Sequence, residues 1–217
     1  MIREKKAHAF DRADLEWYAE PPSVSDALFR VEKFDGEICD PCAGMGNIIH
    51  SAMNHGLPVM AMDLQPRHEF FKGTGRVCEQ SDFLSGDADL TFFENIVMNP
   101  PYGPGEDGRL EEQFIAQAVR LAKGKVAALL RLNWFAARRE FLVDKGLLRV
   151  LVLTPRPSIL PGENIRAGEK PGGGTVEYAW FIFLRGYDGP ASIGHAPRHP
   201  KLDMEANWTW RLNKAAR

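Results

Sequence analysis

Residues 37 to 63 restrict the fold of this chain more than any other stretch. Glu37 to Asp40 reads as a short strand, Pro41-Cys42-Ala43-Gly44-Met45-Gly46 as a tight turn, and Asn47 to about His55 as a helix. Val59 to Met62 forms a second strand that ends in Asp63, and Gly56 is placed to close the helix in a left-handed conformation. Two strands joined through a helix lie parallel, so the unit commits the chain to a parallel sheet. Gly44 and Gly46 let the backbone approach a ligand closely where the helix begins. The Asp63 carboxylate suits vicinal ribose hydroxyls, and its distance from the glycine turn is about that of nucleotide-binding βαβ units. A dinucleotide fingerprint would need a third glycine where Ile49 stands, which argues against a nicotinamide or flavin dehydrogenase.

The remaining pattern extends the same architecture. Strands are expected at Arg76 to Cys78, Ile96 to Met98, Val126 to Leu130, Leu148 to Leu153 and Val176 to Leu184. Helices are expected from Ser23 or Ser25 to Glu32, along the stripe Leu110, Phe114, Ala118 and Leu121, and over Ala136 to Asp144. Alternating strands and helices predict a doubly wound α/β sheet. At 217 residues with 44% hydrophobic content, the chain is expected to form one domain over residues 1–217, with 156–174 a long loop and 198–217 a C-terminal tail.

Chemistry concentrates where strands end. Ser81-Asp82-Phe83 follows the third strand and pairs a hydrogen-bond acceptor with an aromatic face, although an Asp-Phe pair at a strand end is usually only a turn. Asn99-Pro100-Pro101-Tyr102 follows the fourth. An amino group conjugated to an aromatic ring is a poor nucleophile, because its lone pair is delocalised. Two acceptors on its hydrogens, the Asn99 side-chain oxygen and the Pro100 backbone carbonyl, would turn that lone pair outward. The prolines stiffen the turn, and Tyr102 offers a flat face for a base. The plainer reading of Pro-Pro is a device that ends the strand.

In this order the motifs resemble those of S-adenosylmethionine (SAM)-dependent DNA N6-adenine methyltransferases of the small phage and prophage type, with the cofactor half first, as in the gamma arrangement. The resemblance spans roughly residues 15 to 184. It implies a Rossmann-like sheet of about seven strands with the last antiparallel, and SAM as cofactor. It assigns Asn99, Pro100, Pro101 and Tyr102 to catalysis, and Tyr18, Asp40, Cys42, Ala43, Gly44, Gly46, Asp63, Asp82 and Phe83 to the cofactor. The segment Glu16-Trp17-Tyr18-Ala19-Glu20-Pro21-Pro22 is similar to the aromatic-x-Thr-Pro segment that closes over SAM in these enzymes, with Glu20 where the family often has Thr. Trp17 and Tyr18 serve equally well as packing residues. The same tetrad serves guanine-N2 RNA and protein glutamine methyltransferases, and a SAM-fold binding module without catalysis is a third reading. The upstream aromatic-Pro segment favours DNA, and Asn99 rather than Ser favours adenine N6 over cytosine N4.

A net charge of −2 does not advertise a nucleic-acid binder, so any contact with a DNA substrate would rely on local clusters. One is the 156–174 connection with Arg156, Arg166 and Lys170, which reads equally as a solvated flap. The other is the tail, where Lys201, Arg211, Lys214 and Arg217 surround Trp208 and Trp210, a pattern that more often pins a tail to its domain. His195 and His199 carry no pattern. Cys39, Cys42 and Cys78 fit a reducing compartment, and the C-x-x-C pair has no second pair or compact His pair to complete a metal site. No apolar run reaches membrane-spanning length and no secretory leader is evident, so the expected location is the cytoplasm.

Overall fold

The computed structural model describes residues 17–67, 71, 75, 77–85, 92–105, 108–169 and 173–204. The chain runs through β1 (Tyr18–Ala19), α1 (Pro22–Val31), β2 (Ile38–Asp40), α2 (Asn47–Asn54), β3 (Val59–Asp63), β4 (Cys78–Gln80) and β5 (Asn95–Met98). It continues with β6 (Pro104–Gly105), β7 (Gly108–Arg109), α3 (Leu110–Leu121), β8 (Lys125–Arg131), α4 (Trp134–Ala137), α5 (Arg139–Asp144) and β9 (Leu147–Thr154). Last come β10 (Leu160–Pro161), α6 (Gly162–Arg166), β11 (Tyr178–Leu184), β12 (Ser192–Pro197) and α7 (Lys201–Met204).

The eight-stranded sheet has the order β12-β9-β11-β8-β5-β2-β3-β4. Strands β4, β3, β2, β5 and β8 are parallel, while β11 runs antiparallel to both β8 and β9. The expected Rossmann-like sheet with its antiparallel strand is therefore present. Side-chain alternation decides which helix covers which face. Val97, Ala127, Leu129 and Trp180 join α1 and α2 in one core cluster, whereas Ile96, Met98, Ala128 and Phe181 join α3 and α5 in the other. Every residue from Tyr178 to Phe183 is buried, which is why this strand reads as one apolar run rather than an alternating one. Gly56 takes the left-handed conformation expected of it, with φ of 77°.

Several elements differ from expectation. The third strand begins at Cys78, because Cys78 pairs with Ala61 and is buried while Val77 is 73% exposed; Arg76 lies outside the described residues. The helix expected over 136–144 is broken at Arg138, whose φ of −129° and ψ of 34° leave helical space. The eighth strand, β12, adds parallel to β9 at the sheet edge. Its sequence Ser-Ile-Gly-His-Ala-Pro lacks a β-branched run, so neighbours and not propensity make it a strand. The 156–174 connection contains β10 and α6, with Lys170 outside the described residues. Among the described residues no helix is long and apolar enough to cross a membrane.

The start of the 198–217 tail is pinned to the domain. Arg198 is buried and donates to Asp203, to the Ser23 hydroxyl and to the Pro155 carbonyl, while Asp203 accepts from the Ser23 N–H and hydroxyl at 3.0 and 2.9 Å. Arg211, Lys214, Arg217 and both tail tryptophans lie outside the described residues. Among the described residues Asp203 is the carboxylate that pairs with the buried Arg198 guanidinium, so Asp203→Ala strands a charge out of water. Urea unfolding is expected to show a loss of about 3 kcal/mol, typical of a broken buried ion pair. A loss no larger than that of an exposed pair would show that the network does not anchor α1.

Candidate active site

The carboxyl ends of the parallel strands β2, β3 and β5 open onto a cavity of ≈ 1110 Å³. Such sheet edges are where α/β folds bind ligands, since loops diverge there and helices begin. Tyr18, Asp40, Cys42, Ala43, Gly44, Asp63, Asp82, Phe83, Asn99 and Pro101 all contribute to its wall. Gly46, Pro100 and Tyr102 stand outside that lining.

The turn after β2 is shaped by its glycines. Gly44 and Gly46 have φ of 49° and 73°. A Cβ on Gly46 would sit 2.9 Å from the Phe71 ring, so this glycine makes room for packing and supports the turn from behind. Asp63 holds the turn in place: Oδ2 accepts the Gly44 N–H at 2.8 Å and Oδ1 the Gln65 N–H at 2.9 Å. A carboxylate accepting two amides retains lone pairs for further donors. Asp82 makes a local turn by accepting the Leu84 N–H at 3.0 Å, and Phe83 is buried with its ring 5.5 Å from that of Phe114.

Acidity dominates the cavity floor. Asp40 is 1% exposed, and burial pushes its carboxyl well above the usual range, with the nearby Glu20 charge adding to the effect. The Cys42 thiol is pushed up for the same first reason, burial, followed by the Asp40 charge. Cys42 donates to the Asn99 carbonyl at 3.3 Å, while Cys39 points away toward the Met62 sulfur at 3.7 Å. The strand thus separates the two sulfurs of the C-x-x-C pair. All three cysteines are free.

Asn99 sits just beyond β5 and is tied to the N-terminal segment. Its amide nitrogen donates to the Tyr18 carbonyl and to Glu20 Oε2, both at 2.9 Å. Both partners present acceptor oxygens, so the amide must turn its nitrogen toward them and its oxygen elsewhere. The Tyr102 hydroxyl lies 3.3 Å from that oxygen, but its shorter bond, 2.6 Å, goes to the Leu129 carbonyl. Burial, and then Tyr178, pushes the Tyr102 phenol well up, and Arg131 stands 5.9 Å from its ring centroid.

The N-terminal segment forms one wall. Strand β1 pairs antiparallel with β10, and the Trp17 carbonyl accepts the Gly162 N–H at 3.0 Å. Trp17 lies against Gly162, where a Cβ would fall 2.1 Å from its ring, and under the guanidiniums of Arg67 and Arg166, 3.7 and 5.0 Å from its centroid. Asn47, the first residue of α2, donates to the Glu20 carbonyl at 2.8 Å. Arg166 is thus spent on Trp17 and Glu163, and Arg156 pairs with Glu177.

Glu20, Asn47, Arg67 and Phe114 join this site without having been assigned to it from sequence. Phe114 was hidden in a helical apolar stripe that read as core. The signal for Glu20 was visible, a carboxylate in place of Thr directly before Pro-Pro, but a departure from a motif does not state its own purpose. Arg67 reaches the cavity through local contacts with Asp63 and the Gln65 carbonyl, a spacing that carries no motif of its own.

No protein-family model and no curated protein sequence matches the chain. Solved structures do match in shape. A putative class I SAM-dependent methyltransferase from Listeria monocytogenes superposes with a TM-score of 0.56 at 14% identity, covering 94% of this chain and 74% of that one. A type I restriction-modification methyltransferase subunit from Streptococcus thermophilus gives 0.56 at 13% identity, covering 93% and 53%. This chain therefore spans about half of that subunit's length. A putative RNA methyltransferase from Pyrococcus horikoshii gives 0.55 at 16%, covering 84% and 93%. The fold is that of SAM-dependent methyltransferases.

Asp40 supplies a stability test. Its folded pKa is raised, so between the unfolded value of 3.8 and the raised one the folded protein binds the extra proton. Its contribution is present at low pH and is lost as pH rises through that window. Asp40→Asn is expected to remove this part of the slope, so thermal unfolding curves of the two proteins should diverge as pH rises, with the variant the more stable. Parallel curves would contradict the burial argument.

Proposed function

We propose that this protein transfers a methyl group from SAM to the exocyclic N6 of adenine in DNA. The observation that carries the reading is the placement of Asn99 on the cavity wall beyond a central strand, its amide nitrogen committed to Tyr18 and Glu20. What Asn99 can offer a substrate is an acceptor oxygen.

The chain's residues fit SAM. Asp40, Glu20 and Asp63 bring carboxylates together around one cavity, an arrangement relieved by a cationic ligand. Gly44 allows close approach at the turn, Asp63 has acceptor capacity for ribose hydroxyls, and Asp82 and Phe83, both on the cavity wall, are proposed to offer an adenine an acceptor and an apolar surface. Bound SAM supplies an electrophilic methyl group carried on sulfonium. Asn99 Oδ1 and the Pro100 carbonyl are proposed to accept the two amino hydrogens of the target base, directing the nitrogen lone pair at that methyl. One of these hydrogens leaves as a proton once the new C–N bond has formed. Tyr102 is proposed as the platform for the base, which must leave the duplex to reach it; its hydroxyl is anchored on Leu129 and the residue itself lies beside the cavity lining.

DNA is favoured over RNA or a glutamine amide by the aromatic-Pro segment, which contacts Asn99 directly. The structural neighbours include both a restriction-modification methyltransferase subunit and an RNA methyltransferase, so the choice of DNA rests on this segment. Phosphate contacts are proposed for the 156–174 connection and for the basic tail.

Tritium transfer from methyl-labelled SAM to DNA, RNA and a protein extract, run side by side, tests the reading. Label is expected in DNA, and Asn99→Ala should reduce kcat by roughly a hundredfold or more, the scale of losing one acceptor at a reacting centre. Label confined to RNA or protein would overturn the substrate, and an unaffected Asn99→Ala would overturn the assigned chemistry.

A further inference from the structure

The residue that breaks the sequence resemblance makes one of the most direct contacts in the site. Glu20 is 6% exposed, lies on the cavity wall and places Oε2 2.9 Å from the Asn99 amide nitrogen. Its backbone is held from the other side, since its carbonyl accepts from the Asn47 side-chain amide at 2.8 Å, at the start of the helix that follows the glycine turn. Glu20 therefore links the turn that faces the cofactor to the side chain that faces the acceptor.

Holding the Asn99 amide needs only an acceptor, and any neutral carbonyl would serve. A carboxylate in that place costs desolvation and is repelled by Asp40, whose own carboxyl feels the Glu20 charge. A buried negative charge beside the reacting centre is useful if positive charge arrives there. The proposed reaction brings it twice, as the sulfonium of the donor and as the nitrogen that becomes cationic during transfer. Donation of an Asn99 N–H to an anion also polarises the amide, making Oδ1 a stronger acceptor.

Building on the proposed methyl transfer, we propose that Glu20 is a positioning residue whose carboxylate fixes the Asn99 amide and selects the cationic methyl donor over its neutral product. The consequence is a built-in preference for SAM over S-adenosylhomocysteine, which has lost the sulfonium charge and must leave after each turnover.

Isothermal titration calorimetry with SAM and S-adenosylhomocysteine tests this on the full chain. Glu20→Gln keeps the size of the side chain and an acceptor for Asn99 but removes the charge. It is expected to weaken SAM by roughly tenfold, the scale of one partly screened charge pair, with S-adenosylhomocysteine affinity little changed. Equal weakening of both ligands, or of neither, overturns the proposal. Glu20→Asp retains the charge and should keep the preference for SAM, and losing it there overturns the proposal independently if the Gln variant does not fold. A wild-type protein that binds neither ligand fails at an earlier step, removing the cofactor reading and Glu20's role with it.

Discussion

The Asn99 side-chain amide ties together parts of the chain that are far apart in sequence. Its two N–H groups reach back to Tyr18 and Glu20, while the backbone to which it belongs continues the central strand β5. Through Glu20 the connection extends to Asn47 and the glycine turn, and through Tyr18 to β10 in the 156–174 connection. The cavity owes its shape to this convergence. A strand end supplies the acceptor, a helix start supplies the floor, and a two-stranded ribbon supplies the wall. An amide is well suited to the joint, because it donates on one side and accepts on the other, and fixing one side determines what the other presents.

Electrostatics follow from the same geometry. Carboxylates crowded under low exposure repel one another and bind protons more tightly, which is what happens to Asp40. The Arg198–Asp203 network binds Ser23, at the same N-terminal end of α1 that Glu20 precedes. A carboxyl that holds its proton more tightly is one that an approaching cation would help to ionise. Of the cationic residues at this wall, Arg67 covers Trp17 and reaches Asp63 Oδ1 at 3.5 Å, while Arg166 covers Trp17 and pairs with Glu163.

Most of the sheet was legible in the sequence because its signals are local. The glycine turn, Asp63 after β3 and the apolar runs of β5, β8 and β11 each declare themselves within a few residues. What could not be read were features decided by neighbours. β12 is a strand because β9 offers an edge, and α4 and α5 separate because Arg138 leaves helical space. The strand-end residues expected at the site line one cavity, because chemistry concentrates at the ends of parallel strands. Gly46, Pro100 and Tyr102, also expected at the site, lie outside the cavity lining. Glu20 was seen as an anomaly, and only its contact with Asn99 gives that anomaly a physical meaning.

The central claim is that this amide presents its oxygen to a planar amino group on a nucleic-acid base. Nucleoside mass spectrometry of DNA incubated with the protein and SAM tests it most directly, because it identifies the methylated atom. The account predicts N6-methyladenine as the product. N4-methylcytosine in its place, or DNA bases left unmodified under conditions where SAM is bound, would contradict it.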